Sequence, residues 1–267
     1  MIRLLKHSDI KMLIEFYKNI NRIDKEEIKN IYYKMNLDKM VIADIDNDRI
    51  NALLIANLIK NEYYLEDIMF INNDVGLVKE VFRNMIDILR NDERGLSIVY
   101  DNVPYSDMMH EILTETGFKC TYTNYINDND NRIELIRSNV SINDNDEDVS
   151  DYMTINYNNE CKSIAAYLGE NEIKDTIIDA SKTNVAVIRN DQNKVVGVLR
   201  FALINSVINI SNLYADDNSI YLDLLNTVKN LTNRTIEIGM HPIRENLNIL
   251  LLNSGFKKYQ TEYKYIF

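Results

Sequence analysis

The chain has 267 residues, a length that suits two domains better than one, and its 46% hydrophobic and 27% charged residues are the balance of a folded globular protein. A formal net charge of −11 opposes binding to nucleic-acid phosphates and to anionic membrane surfaces. No apolar run reaches the roughly 20 residues of a bilayer span, the charged stretch Met1 to Asp9 is unlike a signal peptide, and Cys120 and Cys161 lack metal-ligand spacing, so the expectation is a cytoplasmic protein with reduced thiols and no metal, nucleic-acid or membrane partner.

In chain order, Ile2 to Leu5 reads as a short strand. Ser8-Asp9 then caps a helix with Ile10, Leu13, Ile14 and Tyr17 at helical spacing. A second helix follows Asp24, which with Glu27 makes a capping box. Met40 to Ile45 and Ile50 to Ile59 form a hairpin across Asp46-Asn47-Asp48-Arg49, and Tyr63 to Ile71 is a third adjacent strand. Asn72-Asn73-Asp74 opens a long amphipathic helix with Val78, Val81, Phe82, Met85, Ile86 and Leu89 on one face. Leu96 to Tyr100, a helix over Ser106 to Thr116 and a strand at Tyr122 to Ile126 complete a first unit. Arg132 to Arg137 alternates as one more strand, across Asn127 to Asp130.

The order then repeats. Tyr152 to Tyr157 is read as a strand, followed by helices through Ile164 and Leu168 and through Ile173 and Ile177. Val185 to Ile188, Val195 to Ile204 and Val207 to Tyr214 are strands, with Asn190 to Asn193 as a hairpin turn. A helix over Ser219 to Leu231, a strand at Thr235 to Gly239, a helix over Arg244 to Ser254 and a final strand close the second unit. Gly117-Phe118-Lys119 with Thr123 and Tyr125 recurs as Gly255-Phe256-Lys257 with Thr261 and Tyr263, which supports two copies of one unit. The polar, acidic run Asn143 to Asp148 reads as a linker. The expected division is residues 1–140, a linker at 141–150, and residues 151–267.

This order resembles the GCN5-related N-acetyltransferase superfamily, once per half, and the segment Glu245-Asn246 through Gly255-Phe256 is the most specific local match. The resemblance implies an α/β fold, more strictly α+β, of two tandem units, each a mixed, mostly antiparallel sheet flanked by helices. It also implies acetyl-CoA as cosubstrate, its pantetheine against the splayed end of the fourth strand and its pyrophosphate on the amides opening the next helix, a natural anion site. In the second unit these positions are Leu213, Tyr214 and Ala215, then Asn218, Ser219 and Ile220, with Asn246 on the pantetheine arm. In the first they are Phe70-Ile71-Asn72 and Asp74-Val75-Gly76, with Met108 in the Asn position.

The chain departs from the family pattern in two respects. The glycine-rich phosphate loop is replaced by Ala215-Asp216-Asp217-Asn218-Ser219-Ile220, and of its glycines the first unit keeps only Gly76. The family's tyrosine acid, four residues before the Gly-Phe turn, is Leu113 in one unit and Leu251 in the other. Candidate catalytic groups are therefore Glu66 on the fourth strand of the first unit, where strand alternation sends one of Glu66 and Asp67 into the cleft, and His241 and Tyr214 in the second. Asn209 stands opposite Glu66 in the repeat.

The expected activity is acetyl-CoA-dependent N-acetylation of a small amine, with a cationic acceptor favoured by the acidic surface. The alternative is a non-catalytic protein of the same fold that binds a small molecule or a protein partner. Transfer of another acyl group is a third reading, and monomer and homodimer both stay open.

Overall fold

The computed structural model describes all residues except 21–24, 36, 72–73, 129–139, 144–145, 171–182, 205 and 232–233. The expected strand over Arg132 to Arg137, the capping box at Asp24 and the helix through Ile173 and Ile177 lie outside the described residues. The described chain forms two units: Met1–Cys120 with Glu262–Phe267, and Thr121–Thr261. No described helix is long and apolar enough to cross a membrane.

In unit 1, β1 (Ile2–Leu4), β2 (Lys39–Asp46), β3 (Arg49–Ile59) and β4 (Glu62–Phe70) run antiparallel. Asn47 and Asp48 take positive φ in the β2–β3 turn, as a tight hairpin requires. The helices α1 (Ile10–Asn19) and α2 (Lys25–Lys34) precede β2, and α3 (Val75–Arg90) leads to β5 (Ser97–Pro104), which pairs parallel with β4. Every apolar residue assigned to the inner face of α3 is buried. The helix packs with Met40, Ile42, Leu54 and Leu65 into one core, while Leu13, Phe16 and Tyr17 of α1 fill a second core on the opposite sheet face.

In unit 2, β7 (Val140–Ile142), β8 (Asn184–Arg189), β9 (Val195–Ile204) and β10 (Val207–Ala215) form the antiparallel run. α5 (Glu147–Leu168) crosses one face. α6 (Asn218–Leu231) packs on the other and leads to β11 (Ile236–Met240), parallel to β10.

Two expectations are corrected here. The stretch Tyr152 to Tyr157 is helical, inside α5, and the strand that opens the sheet is β7. The misreading is intelligible, because the apolar residues of α5 do not gather on one stripe and only Val149, Met153, Ala165 and Leu168 are buried, so its helical period is faint. The acidic run read as a linker starts this helix: Asp146 caps it by accepting from Val149 N–H at 3.0 Å, and Glu147 and Asp148 sit in the first turn, where the helix dipole favours negative charge.

The repeated Gly-Phe turns are helix stops. After α4 (Asp107–Glu115), Gly117 has φ +97° and Phe118 N–H bonds the Leu113 carbonyl. After α7 (Glu245–Asn253), Gly255 has φ +84° and Phe256 N–H bonds the Leu251 carbonyl. Both are Schellman-type caps with the phenylalanine buried beyond. The strands that follow are exchanged between units. From Thr121 onward β6 (Lys119–Asn127) lies beside β11 of unit 2, whereas β12 (Lys257–Ile266) enters unit 1 at Glu262, beside β5. Each tyrosine of the repeat is thus buried in the other half's core, Tyr125 with β8–β11 and Tyr263 with α3 and β5.

Candidate functional site

Both units splay their parallel strand pair. In unit 1 the pairing of β4 with β5 covers only Glu62–Tyr64 against Ser97–Val99. In unit 2 that of β10 with β11 covers only Ile208–Ile210 against Ile236–Ile238. The fourth strand is bulged in each, by Glu66 between Leu65 and Asp67 and by Ser211 between Ile210 and Asn212. The bulges place Glu66 opposite Ser211 in the repeat, rather than Asn209. In unit 2 the extra residue re-aims the strand end, so that Leu213 faces α6 while Asn212 and Tyr214 face α5.

The helix that follows each splay is capped by its own aspartate. Asp74 accepts from Leu77 N–H at 3.0 Å at the start of α3. At α6 a single oxygen of Asp217 accepts from Ser219 N–H (2.8 Å), Ser219 Oγ–H (2.7 Å) and Ile220 N–H (3.0 Å). The amides expected to hold pyrophosphate are therefore engaged by a carboxylate, and a diphosphate does not fit there as the residues stand.

The α5 side of the unit 2 splay carries a polar network that the sequence reading missed. Tyr214 donates to Glu160 Oε2 at 2.8 Å, and Arg244 Nη1 lies 3.5 Å from Glu160 Oε1. Arg244 Nη2 donates to the Leu213 carbonyl at 2.5 Å and to the Tyr221 hydroxyl at 3.1 Å, with its guanidinium over both tyrosine rings. Burial, then the charge of Glu160, raises the Tyr214 phenol far above its ordinary range. Its proton stays with the oxygen and points at the carboxylate. Glu160 belongs to a seven-residue stripe on α5, Met153, Glu160 and Tyr167, that meets in turn Val198's core, Tyr214 and His241. A helical reading of 147–168 would have exposed that stripe; the strand reading hid it.

His241 is buried, its ring edge-on to Tyr167 at 5.1 Å between centroids. Nδ1 accepts from Ile243 N–H at 3.2 Å, which assigns the ring proton to Nε2, and Nε2 has no partner among the described residues. Burial lowers its pKa to about 4, so the ring is neutral at pH 7. Glu66 forms an ion pair with Lys39 of β2, an ammonium that is almost wholly buried. Tyr100, in the splay of unit 1, is pushed up to about 12 by burial and then by the charge of Asp67. The side chains of Leu113 and Leu251, at the position of the family's acid, lie entirely in the two cores.

On the α6 side of unit 2, a groove of about 340 Å³ runs between α6 and α7. It is lined by Asn218, Leu222, Asn246, Ile249, Asn253 and Ser254, so it brings together two of the residues expected to bind cofactor. The carboxamides of Asn218, Asn246 and Asn253 can pair with the amides of a pantetheine arm, above a floor that includes Leu222 and Ile249. That part of the cofactor fits.

Antiparallel early strands, a bulged and splayed fourth strand, a helix from its end, then strand, helix and Gly-Phe turn define each unit as having the fold of GCN5-related N-acetyltransferases. No protein-family model and no curated protein sequence matches the chain. Solved structures similar to it include a protein of unknown function from Enterococcus faecalis V583, named a probable N-acyltransferase (11% identity, covering 100% of this chain and 72% of that one, TM-score 0.42). A GCN5-related N-acetyltransferase from Sphaerobacter thermophilus is 10% identical over 100% of this chain and 95% of its own, with a TM-score of 0.47. A tandem GNAT protein from the clavulanic acid biosynthesis pathway is 9% identical over 100% and 98%, with a TM-score of 0.37. With identities this low, the fold assignment rests on the order of elements and the two splayed strand pairs.

Proposed function

We propose that unit 2 is an N-acyltransferase for a small amine, with acetyl-CoA as acyl donor, working in the cytoplasm. The observation that carries this reading is the groove between α6 and α7, lined by both Asn218 and Asn246, in the unit whose β10–β11 pair splays. In this reading the groove takes the pantetheine arm and the splay admits the thioester. The chain's residues act on the acceptor: the Glu160 carboxylate holds its ammonium and takes a proton on the way to solvent. A bound acetyl-CoA would supply the thioester carbonyl to the freed nitrogen, with C–N formation matched by C–S cleavage and water as the proton source for the departing thiolate. Neither Tyr214, whose proton is held by Glu160, nor His241, neutral and enclosed, is the acid in this scheme.

Calorimetry with CoA and acetyl-CoA tests it. Binding that weakens about tenfold or more in Asn246→Ala supports the reading, and no heat at millimolar cofactor sinks it. Asp217 favours a second reading, a non-catalytic binder, because it occupies the amides a diphosphate would need. If Asp217→Asn raises CoA affinity while no amine in a broad panel is acylated, the second reading gains.

A further inference from the structure

On the α5 face of unit 2, Arg200 of β9 is a cation without a counter-ion among the described residues. Leu199 and Phe201 on either side of it pack with the α6 core, so its side chain emerges on the opposite face, with Val198 and the α5 residues. Its Nε is inaccessible to solvent and makes no hydrogen bond, and no carboxylate pairs with its guanidinium among the described residues. In a chain with 41 acidic and 30 basic residues, a half-buried arginine left unpaired is a site kept open for an anion.

What surrounds it narrows the anion. Arg200 stands directly across from Asn212 in the β9–β10 ladder, and Val198 across from Tyr214, so Arg200 and Tyr214 are diagonal neighbours about 7–8 Å apart. The Asn212 carboxamide lies 3.5 Å from the Tyr214 hydroxyl, which donates to Glu160. On the same side of the unit, His241 Nε2 is a second enclosed donor without an acceptor. One face therefore offers a guanidinium without a carboxylate partner among the described residues, the Asn212 amide across from it, the Tyr214 phenol one diagonal step away, and the Glu160 carboxylate that accepts from that phenol and lies beside Arg244. That arrangement matches a molecule with a carboxylate and an ammonium on neighbouring atoms.

We propose that the acyl acceptor of unit 2 is a free amino acid, its carboxylate on Arg200 and its ammonium on Glu160. This rests on reading unit 2 as an amine acyltransferase and names its substrate class; Arg200 is a specificity-determining residue that takes no part in bond making.

The test is direct binding to the full chain, by calorimetry or ligand-observed NMR, of three amino acids beside the amines that lack only their carboxylate: L-leucine and isoamylamine, L-phenylalanine and phenethylamine, L-lysine and cadaverine. At least one amino acid should bind about tenfold or more tighter than its amine. That preference should vanish in Arg200→Gln, while Glu160→Gln weakens both partners of the pair. Because the Arg200 guanidinium makes no ion pair and its Nε no hydrogen bond among the described residues, Arg200→Gln should melt within a few degrees of the wild type. Should it fail to fold, Arg200→Lys, which keeps the charge but not the fork, should retain a reduced preference. Equal binding of acid and amine, no binding of any amino acid, or a preference that survives in Arg200→Gln overturns the proposal. CoA calorimetry on the same samples separates the two readings: amino-acid binding without CoA binding keeps the Arg200 site and removes the acetyl-CoA reading, and the converse removes only the amino-acid site.

Discussion

The two units start from the same plan and diverge at the fourth strand. In unit 1 the bulge residue is Glu66, spent on neutralising the buried Lys39. In unit 2 it is Ser211, small and uncharged, and the strand end beyond it is tied by Tyr214 and Arg244 to Glu160. A carboxylate thus stabilises the sheet in one copy and stands beside a solvent-reaching polar network in the other. Duplication kept the backbone device, the bulge and splay, and reassigned its charges. This is why the candidate chemistry concentrates in unit 2.

The largest expected effect tests what the units share. Leu251→Ala and Leu113→Ala should each cost about 2–5 kcal/mol in denaturant unfolding, since both side chains are fully enclosed core residues at a helix stop. If Leu251→Ala were nearly neutral, that position would be facing a cleft, as the family's acid does, and the equivalence would break.

The next separates the units by pH. The His241 pKa falls from 6.5 to about 4 on folding, so the unfolded chain binds the extra proton first and stability drops as pH falls from about 6.5 towards 4. The loss should total roughly 3 kcal/mol, taking 1.36 kcal/mol for each pKa unit. His241→Gln should flatten that part of the pH–stability curve. Hydrogen exchange should show the acid loss in β11 and α7 and leave α3 protected.

Glu66→Gln comes third. It leaves the Lys39 ammonium buried and unpaired, and because Glu66 itself is about half exposed the expected cost is roughly 1–3 kcal/mol. Activity from unit 2 should be unchanged, whereas loss of activity at full stability would return Glu66 to the candidate catalytic groups. The smallest effect compares the caps. Asp217→Ala should cost more than Asp74→Ala, within about 0.5–2 kcal/mol, because Asp217 serves three donors and Asp74 the Leu77 amide. Equal costs would mean that Asp217 is no more committed to its helix than Asp74, and the obstacle to a diphosphate would shrink accordingly.

Most strands and helices could be read from the sequence where the apolar period was strong. The inner face of α3, the hairpin turn at Asn47-Asp48 and the Gly-Phe helix stops all follow from local chemistry. α5 escaped because its apolar residues are spread round the helix rather than gathered on one face, and an acidic run that opens a helix has the composition of a linker. Of the candidate site, Asn218 and Asn246 were recoverable from the resemblance, and the structure brings them into one groove. Glu160 was not, because the strand reading hid the stripe of α5, nor were Arg244 and Arg200, because what they meet depends on which face β10 presents after its bulge, and a one-residue shift reverses every face beyond it. The exchange of β6 and β12 was invisible for the opposite reason. The two strands carry the same Thr and Tyr spacing, so each suits the slot of the other.

That exchange has a consequence for how the protein is made. The first 120 residues leave the ribosome long before Glu262–Phe267, yet Tyr263 belongs to their core, Lys264 pairs with Glu62, and Phe267 N–H bonds the Leu96 carbonyl. Domains ordinarily fold as they emerge, the N-terminal one first. Here the N-terminal unit waits with an open edge beside β5 until Glu262–Phe267 has been made, and the contact that closes it spans most of the chain, a slow class of closure. Deleting Glu262–Phe267 should therefore injure the first-made half of the molecule, while protease resistance of β8 to β10 in the later half survives.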